Sequence, residues 1–507
     1  MSMAMRYVVF AVICHVALLF QGSAAVAENE MTQAQKLGWP DWRGPFHRSA
    51  IAGGHELIDD LAQAKLLWKS EDEILCKQYY HVQCSSWAVG ACGHAGPIYW
   101  DGKVYIYYAQ PPKPWPKKGD RNNIRACMAN PVFVDADENV VCMDAMTGKT
   151  VWKKVYEKEG FNFAWGKAGA HMLQAVRYGN VYTLTTGGYA ACHDAGTGDE
   201  KWKQELPWRA NVLKHKDAAR KAGKIRTGAN RGLCVCPAVA DGVVVFQGAA
   251  DGGGSGGPLI GFNAATGEKL WTGKRVKIAG AGAMQSPFGG MCVSPVVWRV
   301  DGTELFIIGN KCVEPKTGRI LWIGPAGSGT GTTATIGEFE GAWYMIGRLN
   351  EKKPTKGDQC FRITPKGAEK AWELEMPFRK RGSTTALIHG GHYYFDMQNP
   401  DNKNKYSSEL VCVDMKTGKV TSRVKSLGRH YSSPACADGR WIKYSEEGAS
   451  ATAKGGVLMF DTNPSAVAIA GKHLPNKHMA GTTPILVDGR LYHRGYDAVY
   501  CYDLRKQ

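Results

Sequence analysis

Short apolar strands, each introduced by a two-residue turn, recur along most of this chain. Alternating segments such as Lys103–Tyr108 (KVYIYY) and Val243–Gln247 (VVVFQ) follow these turns directly. Asp-Gly and Gly-Asn steps accept positive φ and close tight β-hairpins. The turns are Asp101-Gly102, Gly179-Asn180, Asp241-Gly242, Asp301-Gly302, Glu340-Gly341, Gly390-Gly391, Asp438-Gly439 and Asp488-Gly489. The pattern therefore predicts eight hairpins.

A second signal, built around a Thr-Gly step, alternates with the hairpins. Its fullest copy is Val141–Trp152 (VCMDAMTGKTVW), and a looser copy lies at Gly367. The other copies place their glycines at Gly198, Gly267, Gly318 and Gly418. Each unit reads as two strands, a loop, a third strand, the Thr-Gly turn and a fourth strand that ends in tryptophan, with no helical period between them.

The repeated unit predicts an all-β chain folded as an eight-bladed β-propeller of four-stranded antiparallel blades, because a lone blade cannot bury both of its faces. The final unit lacks a fourth strand, and Ala64–Lys69 (AKLLWK) resembles one. We expect this N-terminal strand to complete the last blade and close the ring. Seven blades with an unrelated N-terminal segment are the alternative, which leaves Trp68 unexplained. The predicted propeller spans residues 64–507, with an N-terminal extension at 28–63 and an insertion at 110–139 in the first blade.

Residues 1–27 have the pattern of a signal peptide. Arg6 precedes an apolar run, Tyr7–Phe20, and Ala25-Val26-Ala27 is a small-x-small cleavage pattern. The run is shorter than the roughly 20 residues that a membrane-spanning helix needs. The sequence therefore predicts a protein without a membrane span that is periplasmic or secreted after cleavage near Ala27.

The balance of charge favours anionic partners. Lys and Arg number 63 and Asp and Glu number 46, so the formal net charge is 63 − 46 = +17. Such an excess attracts anions through its field. Nucleic acid is the least expected anionic partner of an exported protein. The expected partner is therefore an anionic small molecule, a polysaccharide or a protein. We expect the protein to be a monomer. The alternative is a charge that serves only solubility.

The Thr-Gly repeat resembles the tryptophan-docking repeat of quinoprotein-type, PQQ-like β-propellers. Asp-x-x-Thr-Gly-x-x-x-Trp stands at Asp144–Trp152 and Asp194–Trp202, with variants at Asn263–Trp271 and Glu314–Trp322. The similarity covers residues from about 64 to 507, and Leu37–Pro45 (LGWPDWRGP) is similar to a segment that follows the leader in many exported bacterial members. The resemblance implies that each tryptophan packs between neighbouring blades and that the Thr-Gly turn positions it. At Asp414 the repeat has Ser422 in place of the tryptophan, which puts that contact in doubt.

Cysteine recurs in this repeat. Six cysteines occupy one slot of the repeat or its near equivalent, namely Cys142, Cys192, Cys312, Cys360, Cys412 and Cys501. Equivalent points on separate blades should lie farther apart than the roughly 7 Å between Cα atoms that a disulfide allows. We therefore expect these cysteines to be small buried thiols. A disulfide with undetermined pairing is compatible with an oxidising compartment among Cys76, Cys84, Cys92 and Cys127.

The residues that precede each first strand, which we call the mouth segments, should line one end of the central channel. Alignment on the proline and the turn puts four side chains in one column: His94, Cys234, Cys292 and Tyr431. Three further histidines lie within a few positions of that column: His171, His430 and His478. Histidine and cysteine suit copper or zinc, so His94, Cys234 and Cys292 are candidate metal ligands. The alternative is that these side chains pack between the blades.

The mouth segments are also basic. They contain Lys167, Arg226, Arg231, Arg379, Lys380, Arg381, Arg429 and Lys477, and almost no Asp or Glu. A cationic mouth favours an anionic ligand. The candidate residues for binding such a ligand or cofactor are His94, His171, Arg231, Arg381, His430 and His478.

Two functions of different classes are compatible with these features. The first is a binding or scaffold propeller for an anionic ligand or a protein partner. The second, implied by the resemblance, is a periplasmic alcohol or sugar dehydrogenase that uses pyrroloquinoline quinone, with or without calcium. Calcium prefers several oxygen ligands, which the mouth segments do not offer, whereas the quinone is itself a tricarboxylate.

Overall fold

The structure, a computed structural model, covers most of the predicted propeller. It describes residues 38–44, 50–51, 54–74, 95–110, 135–160, 174–222, 235–247, 258–273, 294–324, 335–348, 358–374, 386–398, 408–426, 429–430, 434–446, 455–466, 468–472, 482–495 and 497–507. The predicted signal peptide and Cys76, Cys84, Cys92 and Cys127 lie outside these residues. Within them, the chain forms eight sheets, each built on four antiparallel strands, which confirms the predicted eight-bladed propeller.

The two inner strands of every blade form the predicted hairpins. The first strands are Ile98–Trp100 (β3), Ala175–Arg177 (β7), Ala238–Ala240 (β11), Val296–Val300 (β15), Thr335–Phe339 (β19), Leu387–His389 (β23), Ala435–Ala437 (β28) and Ile485–Val487 (β32). The second strands are Lys103–Gln110 (β4), Asn180–Leu184 (β8), Val243–Gln247 (β12), Thr303–Ile308 (β16), Ala342–Arg348 (β20), His392–Gln398 (β24), Arg440–Glu446 (β29) and Arg490–Arg494 (β33). First strands of neighbouring blades contact one another, as β3 does with β7 and with β32, so they surround the central channel.

The two outer strands follow on either side of the Thr-Gly turn. The third strands are Ala136–Asp144 (β5), Tyr189–Asp194 (β9), Leu259–Asn263 (β13), Lys311–Val313 (β17), Asp358–Thr364 (β21), Ser408–Asp414 (β25), Gly455–Asp461 (β30) and Val499–Asp503 (β34). The fourth strands are Thr150–Gly160 (β6), Glu200–Glu205 (β10), Lys269–Thr272 (β14), Ile320–Ile323 (β18), Gly367–Glu373 (β22), Val420–Ser426 (β26), Ala468–Lys472 (β31) and Lys65–Lys69 (β2). Blade 1 begins with β3 and blade 8 with β32.

The ring is closed as the sequence predicts. β2 pairs antiparallel with β34, and Trp68 stands opposite Cys501. Two short strands extend blade 7: Ala50–Ile51 (β1) runs parallel to β28, and Arg429–His430 (β27) runs antiparallel to β29. The strands around the first-blade insertion reach Gln110 and start again at Ala136, so they include both ends of the predicted 110–139 range.

Both residues of every predicted hairpin turn have positive φ, with one change of position. In blade 2 the turn is Tyr178-Gly179, at φ +55° and +68°, rather than Gly179-Asn180. Arg177 pairs with Asn180 across this turn, which leaves the two residues between them at its tip. Glycine is then the second turn residue, as it is in the Asp-Gly turns.

Six tryptophans dock onto the next blade as the resemblance implies. Each indole N–H donates to a backbone carbonyl oxygen at a distance of 2.7–3.1 Å: Trp68 to Ala145, Trp152 to Ala195, Trp202 to Ala264, Trp271 to Pro315, Trp322 to Thr364 and Trp372 to Met415. Five of the rings also lie against the glycine of the receiving turn. A Cβ atom would approach the ring to 2.5–2.9 Å at Gly148, Gly198, Gly267, Gly318 and Gly418. Glycine is therefore required at these turns by contact as well as by positive φ.

The two remaining seams use different contacts. Between blades 6 and 7, where Ser422 stands in the tryptophan position, the Tyr394 hydroxyl donates to the Thr462 carbonyl oxygen at 2.7 Å. Between blades 7 and 8 the tryptophan position is Gly471, where a Cβ atom would lie 2.5 Å from the Leu61 backbone nitrogen. The Ile58 N–H donates to the Leu504 carbonyl oxygen at 2.8 Å, so the N-terminal extension fills this seam.

The repeat cysteines stand directly opposite the docking position. Each pairs across the ladder with a tryptophan, or with Ser422 in blade 6: Cys142, Cys192, Cys312, Cys360, Cys412 and Cys501. All six are buried and free, which confirms the prediction of small buried thiols. Burial raises the pKa of Cys142 and of Cys192 to about 12. The repeat position opposite the docking tryptophan therefore favours a compact side chain, because the residue there packs beside the indole.

One helix, Arg209–Ala222 (α1), was not predicted from the sequence. It follows the last strand of blade 2 and is rich in Ala, Lys and Arg, which favour helix. The Arg209 guanidinium donates to the Glu159 carboxylate and to the Gly187 carbonyl oxygen, so the helix is fastened to blades 1 and 2. No helix in the described part of the chain is long and apolar enough to cross a membrane.

A buried carboxyl group joins blades 1 and 2 near this helix. Glu138 is fully buried and accepts hydrogen bonds from the Tyr107 hydroxyl at 2.6 Å and from the Thr186 N–H at 2.9 Å. The Thr186 hydroxyl donates to its other oxygen. Burial raises the pKa of Glu138 to about 7, although these hydrogen bonds oppose the shift.

Glu138→Gln is expected to flatten the dependence of stability on pH. The folded-state pKa of about 7 lies above the ordinary value of 4.5, so the unfolded chain loses the proton first as pH rises. Stability contributed by the protonated group is present below pH 4.5 and declines up to pH 7, by roughly 3 kcal/mol at about 1.4 kcal/mol per pKa unit. Urea unfolding between pH 4.5 and 8 measures this loss.

Glutamine keeps an oxygen that accepts the Tyr107 and Thr186 bonds, so the variant should fold. The matched control is Glu157→Gln, an exposed glutamate on β6, which should leave the wild-type slope unchanged. Parallel stability curves for wild type and Glu138→Gln would contradict the assignment.

Candidate ligand site in the central channel

The mouth segments of neighbouring blades pack against one another where the structure describes them. The Cys236 N–H donates to the Ser294 hydroxyl oxygen at 3.0 Å, which joins blades 3 and 4. A Cβ atom on Gly96 would lie 2.4 Å from the Thr483 carbonyl oxygen, so blades 1 and 8 approach closely at the same level. At these two points the described ends of neighbouring mouth segments are in contact.

Residues 38–44 lie inside the channel. Trp39 and Tyr99 exchange backbone hydrogen bonds of 2.9 and 2.8 Å. The Val176 N–H donates to the Pro40 carbonyl oxygen at 2.8 Å, and the Trp42 indole N–H donates to the Pro295 carbonyl oxygen at 3.1 Å. These partners belong to, or directly precede, the first strands of blades 1, 2 and 4. Because first strands surround the channel, the segment must cross it.

Two tryptophans and two glycines determine how this segment fits. Trp39 and Trp42 are buried, at 0% and 6% exposure, so the segment is held by apolar contact. Gly38 and Gly44 have φ of +60° and +72°. A Cβ atom on Gly38 would lie 2.3 Å from the Tyr99 ring, and one on Gly44 would lie 2.5 Å from the Trp39 ring. The glycines allow the chain to turn back where larger residues would collide.

Arg43 places a positive charge in this enclosed segment, with its Cζ atom 5.4 Å from the centroid of the Trp42 ring. Its exposure is 0%, and none of its three guanidinium nitrogens has a hydrogen-bond partner within the described chain. The Asp41 carboxylate accepts the Arg43 backbone N–H at 2.8 Å but forms no described ion pair with the guanidinium. Burial lowers the pKa of Arg43 to about 10, and Asp41 opposes that shift. The side chain is therefore charged at neutral pH with its donors unused.

Two further buried donors belong to the same region. The Trp39 indole N–H and the Gln174 side-chain NH₂ have no partner among the described residues. Gln174 lies two residues before Val176, whose N–H binds Pro40, and Trp39 contacts the backbone at Gly44. The Arg43 guanidinium, the Trp39 indole and the Gln174 amide are thus three groups with unused donors that belong to residues 38–44 or to the chain directly beside them. We call these three side chains the donor cluster.

Arg494 is a second buried arginine, and in contrast to Arg43 one of its guanidinium nitrogens has hydrogen-bond partners, although its Nε has none among the described residues. It is also fully buried, but it donates to the Ala95 carbonyl oxygen at 2.8 Å and to the Tyr107 carbonyl oxygen at 3.4 Å. It thereby fastens blade 8 to blade 1. Burial lowers the pKa of Arg494 to about 9. Arg43 has no comparable backbone partners, which distinguishes it as a group available to a ligand.

Most mouth residues singled out from the sequence lie outside the described residues: His94, His171, Arg231, Arg381, His478, Cys234 and Cys292. For His430 the structure describes only the backbone, which pairs with Ser445 in blade 7. Their convergence therefore stays a prediction. Among the described residues, no group of three or more His, Cys, Asp or Glu side chains could hold a metal ion.

Sequence reasoning missed Arg43. The segment LGWPDWRGP was noted only for its resemblance, and the basic residues of the mouth were sought in the repeats. A signal was present, because two tryptophans flanked by glycines in an otherwise polar N-terminal extension favour burial. An arginine between such residues is then a candidate for burial as well.

An eight-bladed propeller closed by its N-terminal strand, with tryptophans docked on Thr-Gly turns, defines the class of this protein. Residues 136–347 match the family model described as outer membrane protein assembly factor BamB. This match covers less than half of the chain, and it confirms the resemblance to PQQ-like β-propellers that the Thr-Gly repeat indicated. A comparison with curated protein sequences found no match.

Solved structures share the fold at low identity. A europium-containing methanol dehydrogenase is 11% identical, with a TM-score of 0.56 over 92% of this chain and 90% of that one. The quinohemoprotein alcohol dehydrogenase ADHIIG from Pseudomonas putida HK5 is 13% identical, with a TM-score of 0.57 over 94% and 82%. That from Comamonas testosteroni is 13% identical, with a TM-score of 0.56 over 95% and 84%. Similarity at this level establishes the architecture alone.

Proposed function

We propose that this protein is a binding propeller whose central channel receives an anionic ligand where residues 38–44 cross it. The observation that carries the proposal is the Arg43 guanidinium, which is fully buried and whose donors have no hydrogen-bond partner among the described residues. A buried charge without a partner costs several kcal/mol of free energy, in the range of about 3–5 when one partner of a pair is removed. A ligand that brings the opposite charge removes this cost.

The composition supports the same proposal. The formal net charge of +17 attracts anions toward the protein from solution. Arg43 is enclosed, so the group that reaches it must be a small anion or one acidic group at the end of a larger molecule. A polysaccharide or an acidic protein segment would then bind by such a terminal group.

A second candidate is oxidation of an alcohol or sugar with pyrroloquinoline quinone. It is favoured by the fit between Arg43 and a carboxylate, since a guanidinium donates two parallel hydrogen bonds to such a group. When bound, the quinone would supply the oxidant for the substrate. Arg43 would hold one of its carboxylates in the channel, and one of the mouth histidines His94, His171, His430 and His478 would accept the proton of the substrate hydroxyl.

The test is thermal unfolding of the mature protein with inorganic phosphate, citrate or pyrroloquinoline quinone, each compared with sodium chloride at equal ionic strength. A ligand at 100 times its Kd stabilises the fold by about 2.7 kcal/mol, so the unfolding temperature should rise with at least one of these anions. Stabilisation without dye-linked oxidation of ethanol or glucose supports the binding function, whereas oxidation in the quinone arm supports the enzyme. Unfolding temperatures equal to those in sodium chloride for all three anions would contradict the proposal.

A further inference from the structure

We infer that residues 38–44 form an anion-dependent strap: a compact oxyanion binds at the donor cluster, and its binding is coupled to docking of this segment in the channel. The inference rests on the proposed function, and it adds the class of ligand and the means by which the site is assembled. The residue that recognises the ligand is carried by the segment that docks. Binding of the anion and docking of the segment are therefore thermodynamically coupled.

Opposing contributions act on the docked segment. Burial of Trp39 and Trp42 favours docking, as do the backbone bonds to Tyr99 and Val176. Burial of Arg43 opposes docking, because its guanidinium leaves water without gaining a hydrogen bond to any residue that the structure describes. An anion at Arg43 removes the opposing contribution. When no anion is bound, the cost of burying Arg43 offsets part of the free energy that the apolar contacts contribute to docking.

The donor cluster indicates what chemistry the ligand needs. The unused atoms are all nitrogen donors: Nε and both Nη of Arg43, Nε1 of Trp39 and Nε2 of Gln174. A partner for them must present several acceptor oxygens and a negative charge. A carboxylate, phosphate or sulfate group meets both requirements, whereas an amine or a cation meets neither.

Linkage then makes the coupling reciprocal. A ligand that binds the docked segment and not the undocked one shifts the population toward docking, and any change that favours docking raises the affinity for the ligand. Two blades supply the fixed partners, since Tyr99 of blade 1 binds the backbone of the segment and Gln174, which precedes the first strand of blade 2, contributes a donor. The N-terminal segment supplies the moving part.

The experiment is hydrogen exchange, followed by mass spectrometry, of the peptide that contains residues 38–44 in the full mature chain. Inorganic phosphate and citrate are the probes, and sodium chloride at equal ionic strength is the reference. Wild type should exchange about tenfold more slowly in a saturating anion, the factor that corresponds to 1.4 kcal/mol. The two arms distinguish a free phosphate from an organic carboxylate as the source of the oxyanion.

Arg43→Met tests the source of the coupling. Methionine keeps the apolar stem and removes the charge, so the variant should protect the peptide without any anion, and phosphate and citrate should then change nothing. Affinity for the anion should fall about tenfold or more. Arg43→Lys keeps the charge without the planar fork and should show weaker coupling than wild type. Arg319→Met, at an exposed arginine on a Thr-Gly turn, is the matched control and should behave as wild type.

The outcomes separate this inference from the proposed function. An anion that binds wild type and Arg43→Met with equal affinity, or binds without slowing exchange of the peptide, overturns the strap and leaves anion binding intact. Absence of any binding by wild type overturns both. Slower exchange in wild type alone, with Arg43→Met unresponsive, supports the strap.

Discussion

Lys443→Met is expected to destabilise the propeller by about 3–5 kcal/mol, the range for removing one partner of a buried ion pair. Lys443 on β29 is fully buried and its ammonium contacts the Asp396 carboxylate on β24, which is 6% exposed. Burial lowers the pKa of Lys443, and Asp396 opposes that shift. Methionine fills a similar volume but removes the Lys443 charge from the buried Asp396 carboxylate. Urea unfolding at pH 7 measures the loss.

The double variant Lys443→Met/Asp396→Leu removes both charges and should recover most of the stability, because the cost arises from the remaining charge and not from the lost contact. The matched control is Lys370→Met. That lysine pairs with Glu373 on the surface, at 48% and 24% exposure, and its loss should cost less than about 1 kcal/mol. A Lys443→Met cost as small as that of the control would show that the buried pair does not support the seam.

The position of this ion pair explains why it matters. It crosses the seam between blades 6 and 7, where Ser422 stands in place of the docking tryptophan. Tyr394 supplies the hydrogen bond to Thr462 that an indole makes elsewhere, but it does not fill the same volume. Lys443 lies over the rings of Trp441 and Phe460, at 5.2 and 5.4 Å from their centroids. A charged pair packed among aromatic rings thus contributes to a seam that has no docking tryptophan.

The sequence predicts the ring well because the signals that build it are local. A two-residue turn with positive φ is encoded by adjacent residues such as Asp241 and Gly242, and each such turn fixes one hairpin. The closing strand was also predictable, because Trp68 carries the same repeat signal as the other fourth strands. Helix α1 was missed because it follows the repeat unit of blade 2 and has no counterpart in the other units.

The candidate site could not be predicted in the same way. The contacts of residues 38–44 join positions far apart in the chain, such as Trp42 with Pro295, and follow no period. The burial of Arg43 depends on the first strands of three blades at once, so no local pattern encodes it. The sequence did indicate a basic channel that favours an anion, but the basic residues that it singled out belong to the mouth segments and do not include Arg43.

The N-terminal extension has two roles that the repeat does not supply. Around Ile58 and Leu61 it fills the seam between blades 7 and 8, where Gly471 leaves the docking position empty. Around Trp39 it enters the channel. One N-terminal extension therefore carries both the residues that fill this seam and the residues that enter the channel. Closure of the ring and assembly of the candidate site depend on the same part of the chain.

Trp68→Ala is expected to cost about 3–5 kcal/mol, as large-to-small changes of buried aromatic residues do. Trp68 is 8% exposed and joins the ends of the chain, since its strand pairs with β34 while its indole N–H donates to the Ala145 carbonyl oxygen at 3.0 Å. Its ring also lies 5.9 Å from that of Tyr492. Loss of the indole therefore weakens blade 8 and its seam with blade 1 together. Thermal and urea unfolding of the variant measure the loss. The control is Leu67→Ala, because Leu67 lies on the same strand at 39% exposure. This control should change stability by less than about 1 kcal/mol.

Gly148, which lies against the Trp68 ring, allows a second test of the same contact. Gly148 and Gly102 both have positive φ, at +71° and +69°, so alanine strains the backbone equally at either position. A Cβ atom at Gly148 would lie 2.6 Å from the Trp68 ring, whereas at Gly102 nothing lies within 4 Å. Gly148→Ala should therefore cost more than Gly102→Ala by about 1–3 kcal/mol, the range for overpacking. In the Trp68→Ala background the two alanine variants should cost the same, and a difference that persists there would show that the indole is not what constrains Gly148.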